Sequence, residues 1–226
     1  DTLSLHDALP ISVRKGIQRG IEIGIKKVCN SFDCVITPTM ATARYLRELG
    51  VTTRIEIIPV GFDLEALSGK KIDVRSKLGL PMDARVFLHL GRLSQEKNLS
   101  FLVRAFARAL KNFGSSYFLI VAGDGPERVR LERQVKLLDI HQNVIFAGAV
   151  ERDTLWSYYS AADAFLFSSL VETQGFVICE ALMCGVPVIA VQANGPLDFV
   201  TSGEDGLLTE YEEEAFANAI NTFARD

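Results

Sequence analysis

Short continuous runs of apolar residues alternate along this chain with segments whose apolar residues recur at helical spacing. Runs of this length and composition are typical of strands that are buried on both faces of a sheet. The predicted strands are Val86–Leu90, Tyr117–Ala122, Val144–Phe146, Ala164–Phe167 and Val186–Val191. The predicted helices between and after them are Leu99–Asn112, Glu127–Asp139, Arg152–Ala162, Gly175–Cys184 and Pro196–Val200. Repeated strand–helix units predict an α/β fold with a doubly wound parallel sheet, whose ligand binds at the carboxyl ends of the strands.

The region before residue 61 has a different pattern. Between Val13 and Val28, isoleucines recur at helical spacing beside an excess of lysines and arginines, which predicts a basic amphipathic helix. Such a helix can pack on a neighbouring sheet with its cationic face in water, or it can lie on an anionic membrane surface. After it, Cys34–Pro38 and Arg54–Ile58 are predicted strands, and Met40–Glu48 is a predicted helix. These elements precede the strand–helix repeats as a separate region.

The pattern also divides the chain into segments. Residues 1–12 look like the translation of a common sequencing-primer oligonucleotide, so we treat them as a sequencing-adapter artefact and exclude them from the fold. Residues 61–83 have weak periodicity and mixed charge, as is typical of a connection between two domains. Residues 84–226 contain the strand–helix repeats and end within a helical pattern over Glu212–Arg225. We therefore expect the sequence to be a fragment of a longer protein.

The composition is that of a globular protein, with 48% hydrophobic residues and a formal net charge of −4. This charge argues against a dedicated nucleic-acid-binding protein, because binding to phosphate backbones requires an excess of Lys and Arg. The longest apolar runs are much shorter than the roughly 20 residues that span a bilayer. The 4 cysteines lack the spacing of a zinc or redox motif, and we expect reduced, mostly buried thiols in a cytoplasmic protein. His89 and His141 fit no catalytic pattern and are predicted to be structural.

Glycines and cations follow the first two strands of the repeats. Gly91 permits a tight turn, and Arg92 and Lys97 precede the next helix. An arginine fork, a lysine charge and the N–H groups of a helix N-terminus together suit a diphosphate. The alternative is that both cations are solvated loop charges. Gly123 and Gly125 follow the second strand and by themselves indicate only a sharp structural turn, since the third glycine of a dinucleotide fingerprint is absent.

Two glutamates accompany the helix that follows the fourth strand of the repeats. Glu172 lies in the loop, where its carboxylate can accept hydrogen bonds from ligand hydroxyls. The amides around Gly175 and Phe176 open the helix and suit a phosphate or sugar oxygen. Glu180 lies among apolar residues of the helix and needs a partner, for which a ribose diol is suitable. The alternative is that both have structural roles, Glu172 as a glutamate at the start of the helix and Glu180 as a member of an ion pair.

Taken in order, these segments resemble the C-terminal nucleotide-sugar domain of the GT-B glycosyltransferases, specifically the retaining family 4 (group 1) enzymes. The resemblance extends from about Cys34 to the end of the chain, and the stretch Glu172–Gly175 is most similar to members that glucosylate diacylglycerol. The segments that carry it are Ile58–Asp63 (the interdomain segment), Gly91–Arg92 with Glu96–Lys97 (the diphosphate site), Gly123–Pro126 (the glycine turn), Glu172 with Glu180 (the E-x7-E motif) and Gly185–Val188.

The resemblance implies a UDP- or GDP-sugar as substrate and assigns roles to the site residues. Arg92 and Lys97 would bind the diphosphate and neutralise the charge that develops on the leaving group, and Glu172 would orient the donor sugar, so these three are the implied catalytic residues. Glu180 would hold the ribose hydroxyls, and the backbone around Gly148–Val150 would frame the base. No metal or other cofactor is expected, because the family uses cationic side chains in place of a divalent ion. The implied donor-binding residues are Gly91, Arg92, Lys97, Gly123, Gly125, Ala149, Val150, Glu172, Gly175, Phe176, Val177 and Glu180.

The resemblance also implies an N-terminal acceptor-binding domain, of which residues 13–60 would be the last portion. The implied reaction moves a hexose to a hydroxyl of a lipid or a saccharide, with retention of anomeric configuration and without an enzyme nucleophile. We expect the fragment alone to bind the donor but to transfer negligibly. Two alternatives stay open: a nucleotide-sugar-binding module without transfer activity, and a GT-B fold epimerase that acts on a UDP-sugar. The basic helix offers peripheral contact with the inner face of the membrane.

Overall fold

The computed structural model describes residues 11–59, 61, 69–113, 116–170, 175–193 and 199–223, with the backbone alone at 11–15 and 112–113. The chain divides into two compact units, with the boundary between residues 60 and 61. This boundary falls at the start of the segment that was predicted to connect two domains.

The first unit combines two helices with a small parallel sheet. Its elements are α1 (Ile11–Cys29), β1 (Cys34–Thr37), α2 (Met40–Glu48) and β2 (Arg54–Ile57). β1 and β2 pair in parallel along their whole length. Thr39 has extended backbone and starts α2, and its hydroxyl accepts a hydrogen bond from the Thr42 N–H at 3.2 Å. The elements predicted for this region are therefore present.

The second unit is built on a sheet of parallel strands. These are β3 (Arg85–Leu90), β4 (Tyr117–Ala122), β5 (Val144–Gly148), β6 (Ala164–Phe167), β7 (Val188–Val191) and β8 (Gly206–Thr209). They lie in the order β5-β4-β3-β6-β7-β8, and every neighbouring pair is parallel. The chain builds outward from β3 in one direction, returns to the centre and builds outward in the other, as in dinucleotide-binding folds. The predicted fold class, α/β with a doubly wound parallel sheet, is confirmed.

Helices cover both faces of this sheet. They are α3 (Val74–Lys77), α4 (Leu99–Phe113), α5 (Arg128–Leu137), α6 (Leu155–Ser160), α7 (Phe176–Met183) and α8 (Glu213–Phe223). One core joins α4, α5 and α8 to one face through side chains such as Phe106, Leu131 and Phe216. The other core joins α3, α6 and α7 to the opposite face through side chains such as Tyr159 and Ile178. Because both faces are covered, the strands are continuous apolar runs in the sequence.

Residues 69–83 pack on the second unit rather than forming an irregular connection. Within this segment α3 buries Val74 in the core. Arg75 donates to the Ala161 carbonyl oxygen at 2.9 Å and forms an ion pair with the Asp163 carboxylate at 3.0 Å. The helix is one turn long, and a pattern of that length gives too few apolar positions to show a period.

Several predicted boundaries differ from the structure. The predicted helix Arg152–Ala162 consists of a 3-10 turn, Arg152–Thr154, followed by α6. The predicted strand Val186–Val191 begins two residues later as β7, after Pro187, which has no N–H to donate to a ladder. β8 was not predicted, because it begins at a glycine and its two leucines are only half-buried at the sheet edge. The predicted helix Pro196–Val200 lies largely outside the described residues.

Two predictions about burial are wrong. The apolar face of α1 does not pack on a sheet, since Ile17 is 48%, Ile21 57% and Val28 58% exposed. All cysteines are free, as expected, but Cys34 is exposed and the others are half-buried. Among the described residues of the first unit, only two short strands are available to cover the apolar face of α1, which explains its exposure. No helix in the described part of the chain combines the length and the hydropathy needed to cross a membrane.

Candidate functional site

The carboxyl ends of β3 and β6 mark the point at which the strand order reverses. β3 pairs with β4 over six residue pairs, but it pairs with β6 over only two, Phe87–Ala164 and Leu88–Phe165. Beyond these pairs the ladder between β3 and β6 ends. Ligands of doubly wound folds bind in the crevice outside the strand ends at this reversal. The loops after β3 and β6 therefore form the centre of the candidate site.

The turns after β3 and β4 pack against each other, backbone to backbone. The Leu93 N–H donates to the Asp124 carbonyl oxygen at 3.0 Å. Gly123 has a φ of +133°, and a Cβ at this residue would lie 1.8 Å from the Gly91 carbonyl oxygen. A Cβ at Gly125 would lie 2.4 Å from the Leu93 carbonyl oxygen. Both predicted glycines are thus required by the packing of the turns, and their contact with a donor stays a prediction.

Arg92 and Lys97 lie on the loop between β3 and α4. Arg92 is exposed, so its guanidinium is accessible to a ligand. Lys97 ends a 3-10 turn and is half-buried, with its Nζ 5.8 Å from the centroid of the Phe167 ring at the end of β6. Asn98 follows with a φ of +53°, which turns the chain into α4. The structure therefore brings both predicted cations to the strand-order reversal.

Two serines after β6 hold this loop in place. The Ser168 hydroxyl donates to the Lys97 carbonyl oxygen at 2.8 Å, and the Ser169 hydroxyl donates to the Glu96 carbonyl oxygen at 2.9 Å. Both serines are buried. They join the loop after β3 to the loop after β6 and fix the backbone that carries Lys97. Neither was a predicted site residue, and the signal that could have indicated them is a pair of small hydroxyl residues directly after a fully apolar strand.

His89 lies where the ladder between β3 and β6 ends. Its Nδ1 is 3.2 Å from the Leu166 carbonyl oxygen, so Nδ1 carries the proton and donates it. Its Nε2 is buried and has no partner among the described residues. Burial lowers the pKa of His89 to about 4, and the positive charge of Lys97 acts in the same direction. The neutral ring bridges the two strands, which fits the structural role predicted for it.

The start of α7, the helix that follows β6 in the chain, is shaped by a glycine. Gly175 has a φ of +60°, and a Cβ at this residue would lie 2.7 Å from the Phe199 ring. Phe176 and Val177 form the first turn of the helix and are half-buried. These three predicted donor-binding residues are consecutive at the start of the helix that follows β6, and their contact with a donor stays a prediction. Glu172, the fourth residue predicted for this stretch, lies outside the described residues.

Glu180 lies further along α7 and is half-buried. The Tyr159 hydroxyl on α6 donates to its Oε2 at 2.8 Å. Burial raises the pKa of the Glu180 carboxyl, although the hydrogen bond from Tyr159 and the charge of Arg152 oppose this effect. The partner that this carboxylate needs is therefore supplied in part by the protein. Among the described residues no partner of Oε1 is found.

The turn after β5 lies at the same edge of the sheet. The Gly148 carbonyl oxygen accepts a hydrogen bond from the Gly123 N–H at 2.7 Å, which ties this turn to the glycine turn after β4. Ala149 is exposed and Val150 is half-buried. The predicted base-framing residues thus follow the end of β5, and their contact with a base stays a prediction.

Arg128 is a further cation at this edge and was not a predicted site residue. It is the first residue of α5, and its guanidinium carbon lies 6.0 Å from the centroid of the Phe146 ring. Its Nε forms an ion pair with Glu132 at 2.9 Å. In the sequence it is one of several charges on a polar helix, so no pattern distinguishes it. Together these loops present cations, backbone amides and a carboxylate, which suit a ligand with both phosphates and hydroxyls.

The family described as glycosyl transferases group 1 matches residues 70–226 of this chain. The chain belongs to this family. The resemblance to the group 1 glycosyltransferases is thereby confirmed. The chain is similar to the alpha-monoglucosyldiacylglycerol synthase of Streptococcus pneumoniae, with 34% identity over 202 residues, which are 87% of this chain and 45% of the relative. The chain spans about half the length of the curated relatives it matches.

Solved structures of GT-B enzymes share the fold of this chain. The sucrose-phosphate synthase from Thermosynechococcus elongatus has a TM-score of 0.80 and 32% identity, covering 92% of this chain and 53% of that one. HepE from Anabaena, solved in complex with UDP and glucose, has a TM-score of 0.79 and 28% identity, covering 92% of this chain and 58% of that one. These likenesses confirm the GT-B assignment of the parallel sheet.

Proposed function

We propose that this chain is the donor-binding part of a retaining, metal-independent glycosyltransferase, which moves a hexose from a UDP- or GDP-sugar to a hydroxyl of a lipid or a saccharide. The observation that carries the proposal is the loop after β3, where Arg92 and Lys97 lie at the strand-order reversal and Ser168 and Ser169 hold the backbone. The name of the Streptococcus pneumoniae relative supports a sugar-lipid product, and the complex of HepE with UDP and glucose supports a nucleotide-sugar donor.

In this proposal Arg92 and Lys97 bind the diphosphate of the donor. When the bond between the anomeric carbon and the phosphate oxygen breaks, negative charge accumulates on the leaving diphosphate. Cations that are already in place stabilise this charge more in the transition state than in the ground state. The proposal therefore requires no metal or other cofactor, and it assigns neither glutamate as a covalent nucleophile.

The remaining predicted residues bind the other parts of the donor. Glu180 accepts hydrogen bonds from the ribose, because its Oε1 has no protein partner among the described residues. Gly91, Gly123 and Gly125 allow the backbone to approach the diphosphate. We assign the sugar to Glu172, Gly175, Phe176 and Val177, and the base to the backbone of Ala149 and Val150.

The acceptor side of the proposal rests on the first unit. α1 exposes Ile17 and Ile21, and it carries the cations Arg19, Lys26 and Lys27. Exposed apolar residues beside cations are typical of helices that lie on anionic membranes. We therefore propose peripheral contact with the inner face of a membrane, where a lipid acceptor is available.

Calorimetric titration of the 226-residue chain with UDP, GDP, UDP-glucose and GDP-mannose tests the donor site. We expect selective binding of one nucleotide, and Arg92→Ala should weaken it by about 1.5–3 kcal/mol, the usual contribution of a hydrogen bond to a charged group. Arg133→Ala is the matched control, since Arg133 is also an exposed arginine but lies on α5. Equal affinities of wild type and Arg92→Ala would contradict the proposal.

Transfer is tested separately with radiolabelled donor and diacylglycerol or glucosyl-lipid acceptors. The chain spans about half of its relatives, so we expect it to bind the donor and transfer at a negligible rate. Conversion of the donor without any acceptor would favour an epimerase.

A further inference from the structure

Tyr159 is not among the predicted site residues, yet it contacts one of them directly. It lies on α6, is fully buried and packs its ring against Phe165, with 5.7 Å between the ring centroids. Its hydroxyl donates to Glu180 Oε2 at 2.8 Å and lies 3.3 Å from the Val177 carbonyl oxygen. A hydroxyl has one proton, and the shorter contact to a charged acceptor is the stronger. The side chain is therefore a fixed donor to one carboxylate oxygen.

We propose that Tyr159 is a positioning residue that holds the Glu180 carboxylate for a ribose hydroxyl. Because Oε2 is anchored from within the core, the carboxylate keeps one orientation and offers Oε1 to the ligand. The inference rests on the proposed function, which assigns Glu180 to the ribose of a nucleoside diphosphate.

The physical reason is pre-organisation of a half-buried charge. Burial disfavours the carboxylate form of Glu180 and raises its pKa, and the Tyr159 hydroxyl opposes this effect. Burial also raises the pKa of Tyr159 far above its usual range, so the hydroxyl keeps its proton and stays a donor. Without this donor the carboxylate would lose its fixed partner and sample other orientations. Ligand binding would then include the entropic cost of ordering the carboxylate.

The test compares ligands with and without ribose hydroxyls. The full chain is titrated with UDP or GDP, whichever the wild type binds, and with the 2′,3′-dideoxy form of that nucleotide. Tyr159→Phe removes only the hydroxyl and should raise the Kd of the parent nucleotide about tenfold, as expected for a hydrogen bond to a charged group. Tyr159→Phe should change the Kd of the dideoxy form by less than about twofold, because that ligand has no ribose hydroxyl to donate a hydrogen bond to the carboxylate.

Two further variants separate positioning from support of the fold. Tyr158→Phe makes the same change at the neighbouring buried tyrosine of α6 and should leave both Kd values unchanged. In a chain that already carries Glu180→Ala, which leaves Tyr159 no side-chain acceptor at this residue, Tyr159→Phe should add no further loss for the parent nucleotide. A double-mutant cycle of this kind isolates the coupling between the two side chains.

The outcomes are distinguishable. A similar loss for both ligands, or no loss for the parent nucleotide, overturns the positioning role of Tyr159. If Arg92→Ala weakens binding while Tyr159→Phe does not discriminate between the ligands, only this inference fails. If the wild type binds neither UDP nor GDP, the proposed function fails and this inference fails with it.

Discussion

The two halves of the large sheet are joined to β3 in different ways. On the β4 side the ladder runs over six residue pairs and continues into the interlocked backbone of the turns at Gly91 and Gly123. On the β6 side the ladder stops after two pairs. Beyond it the connection is made by hydrogen bonds of three side chains, His89, Ser168 and Ser169. The first junction is fixed by backbone contacts that leave no room for an added atom. The second can be weakened one hydrogen bond at a time, and it lies beside the proposed ligand.

The largest effect is expected from adding one carbon to the backbone junction. Gly123→Ala would place a Cβ 1.8 Å from the Gly91 carbonyl oxygen at a φ of +133°. One of the two turns must then move, and we expect the free energy of unfolding to fall by about 4 kcal/mol in urea denaturation. Gly79→Ala is the control, since its φ of +65° is strained for alanine but nothing lies within 4 Å of the new carbon. Gly79→Ala should lower the free energy of unfolding by about 1–2 kcal/mol. Equal losses in Gly123→Ala and Gly79→Ala would contradict the tight packing of the two turns.

A smaller effect is expected from protonating the histidine of the side-chain junction. The pKa of His89 is lowered to about 4 by burial, whereas the unfolded chain binds this proton near pH 6.5. The contribution of neutral His89 to the free energy of unfolding is therefore complete above pH 6.5. It is lost as the pH falls toward 4, and the total loss is about 3 kcal/mol. Unfolding free energies measured across this range should fall more steeply for wild type than for His89→Asn.

Asparagine keeps an amide donor near the position of Nδ1 but does not titrate. His141→Gln, which removes an exposed histidine outside the junction, is the control for the loss of a histidine. Parallel pH curves for wild type and His89→Asn would mean that His89 accepts a proton in the folded protein without cost.

The smallest effect is expected from a single serine of the same junction. Ser168→Ala removes the hydrogen bond to the Lys97 carbonyl oxygen and should lower the free energy of unfolding by about 1 kcal/mol. Because the backbone that carries Lys97 is then less firmly held, the Kd for the nucleotide should also rise several-fold in calorimetry. Ser160→Ala, at an exposed serine of α6, should change neither quantity. A change in stability without a change in Kd would limit Ser168 to a structural role.

Much of the fold could be predicted from the sequence because strands that are buried on both faces leave continuous apolar runs. This held for β3, β4 and β6, whose residues are almost all buried. It failed for β8, whose central Leu207 and Leu208 are half-buried at the sheet edge, and for α3, which is a single turn. Helical periodicity overestimated the packing of α1, because it predicts an apolar face but does not show what covers that face.

The site could be predicted only as far as residues follow strand ends in the sequence. Position after a strand selected Arg92, Lys97 and Gly123 as candidates; the structure places all of them in turns after β3 and β4, and their roles stay predictions. Ser168 and Tyr159 were missed, because their partners are set by topology. Ser168 contacts a carbonyl oxygen 71 residues away, and no local pattern records such a contact.

His89 and its partner Leu166 are 77 positions apart in the sequence, and this separation also matters during translation. At about 5–20 residues per second, a ribosome needs about 4–15 s to add the residues that separate β3 from β6. β4 is synthesised sooner, so it can pair with one edge of β3 before β6 exists. The other edge of β3, at Val86, Phe87 and Leu88, is still unpaired at that stage. For those seconds the central strand of the finished sheet is an unpaired apolar edge, which is the kind of surface that chaperones bind and that neighbouring nascent chains can pair with.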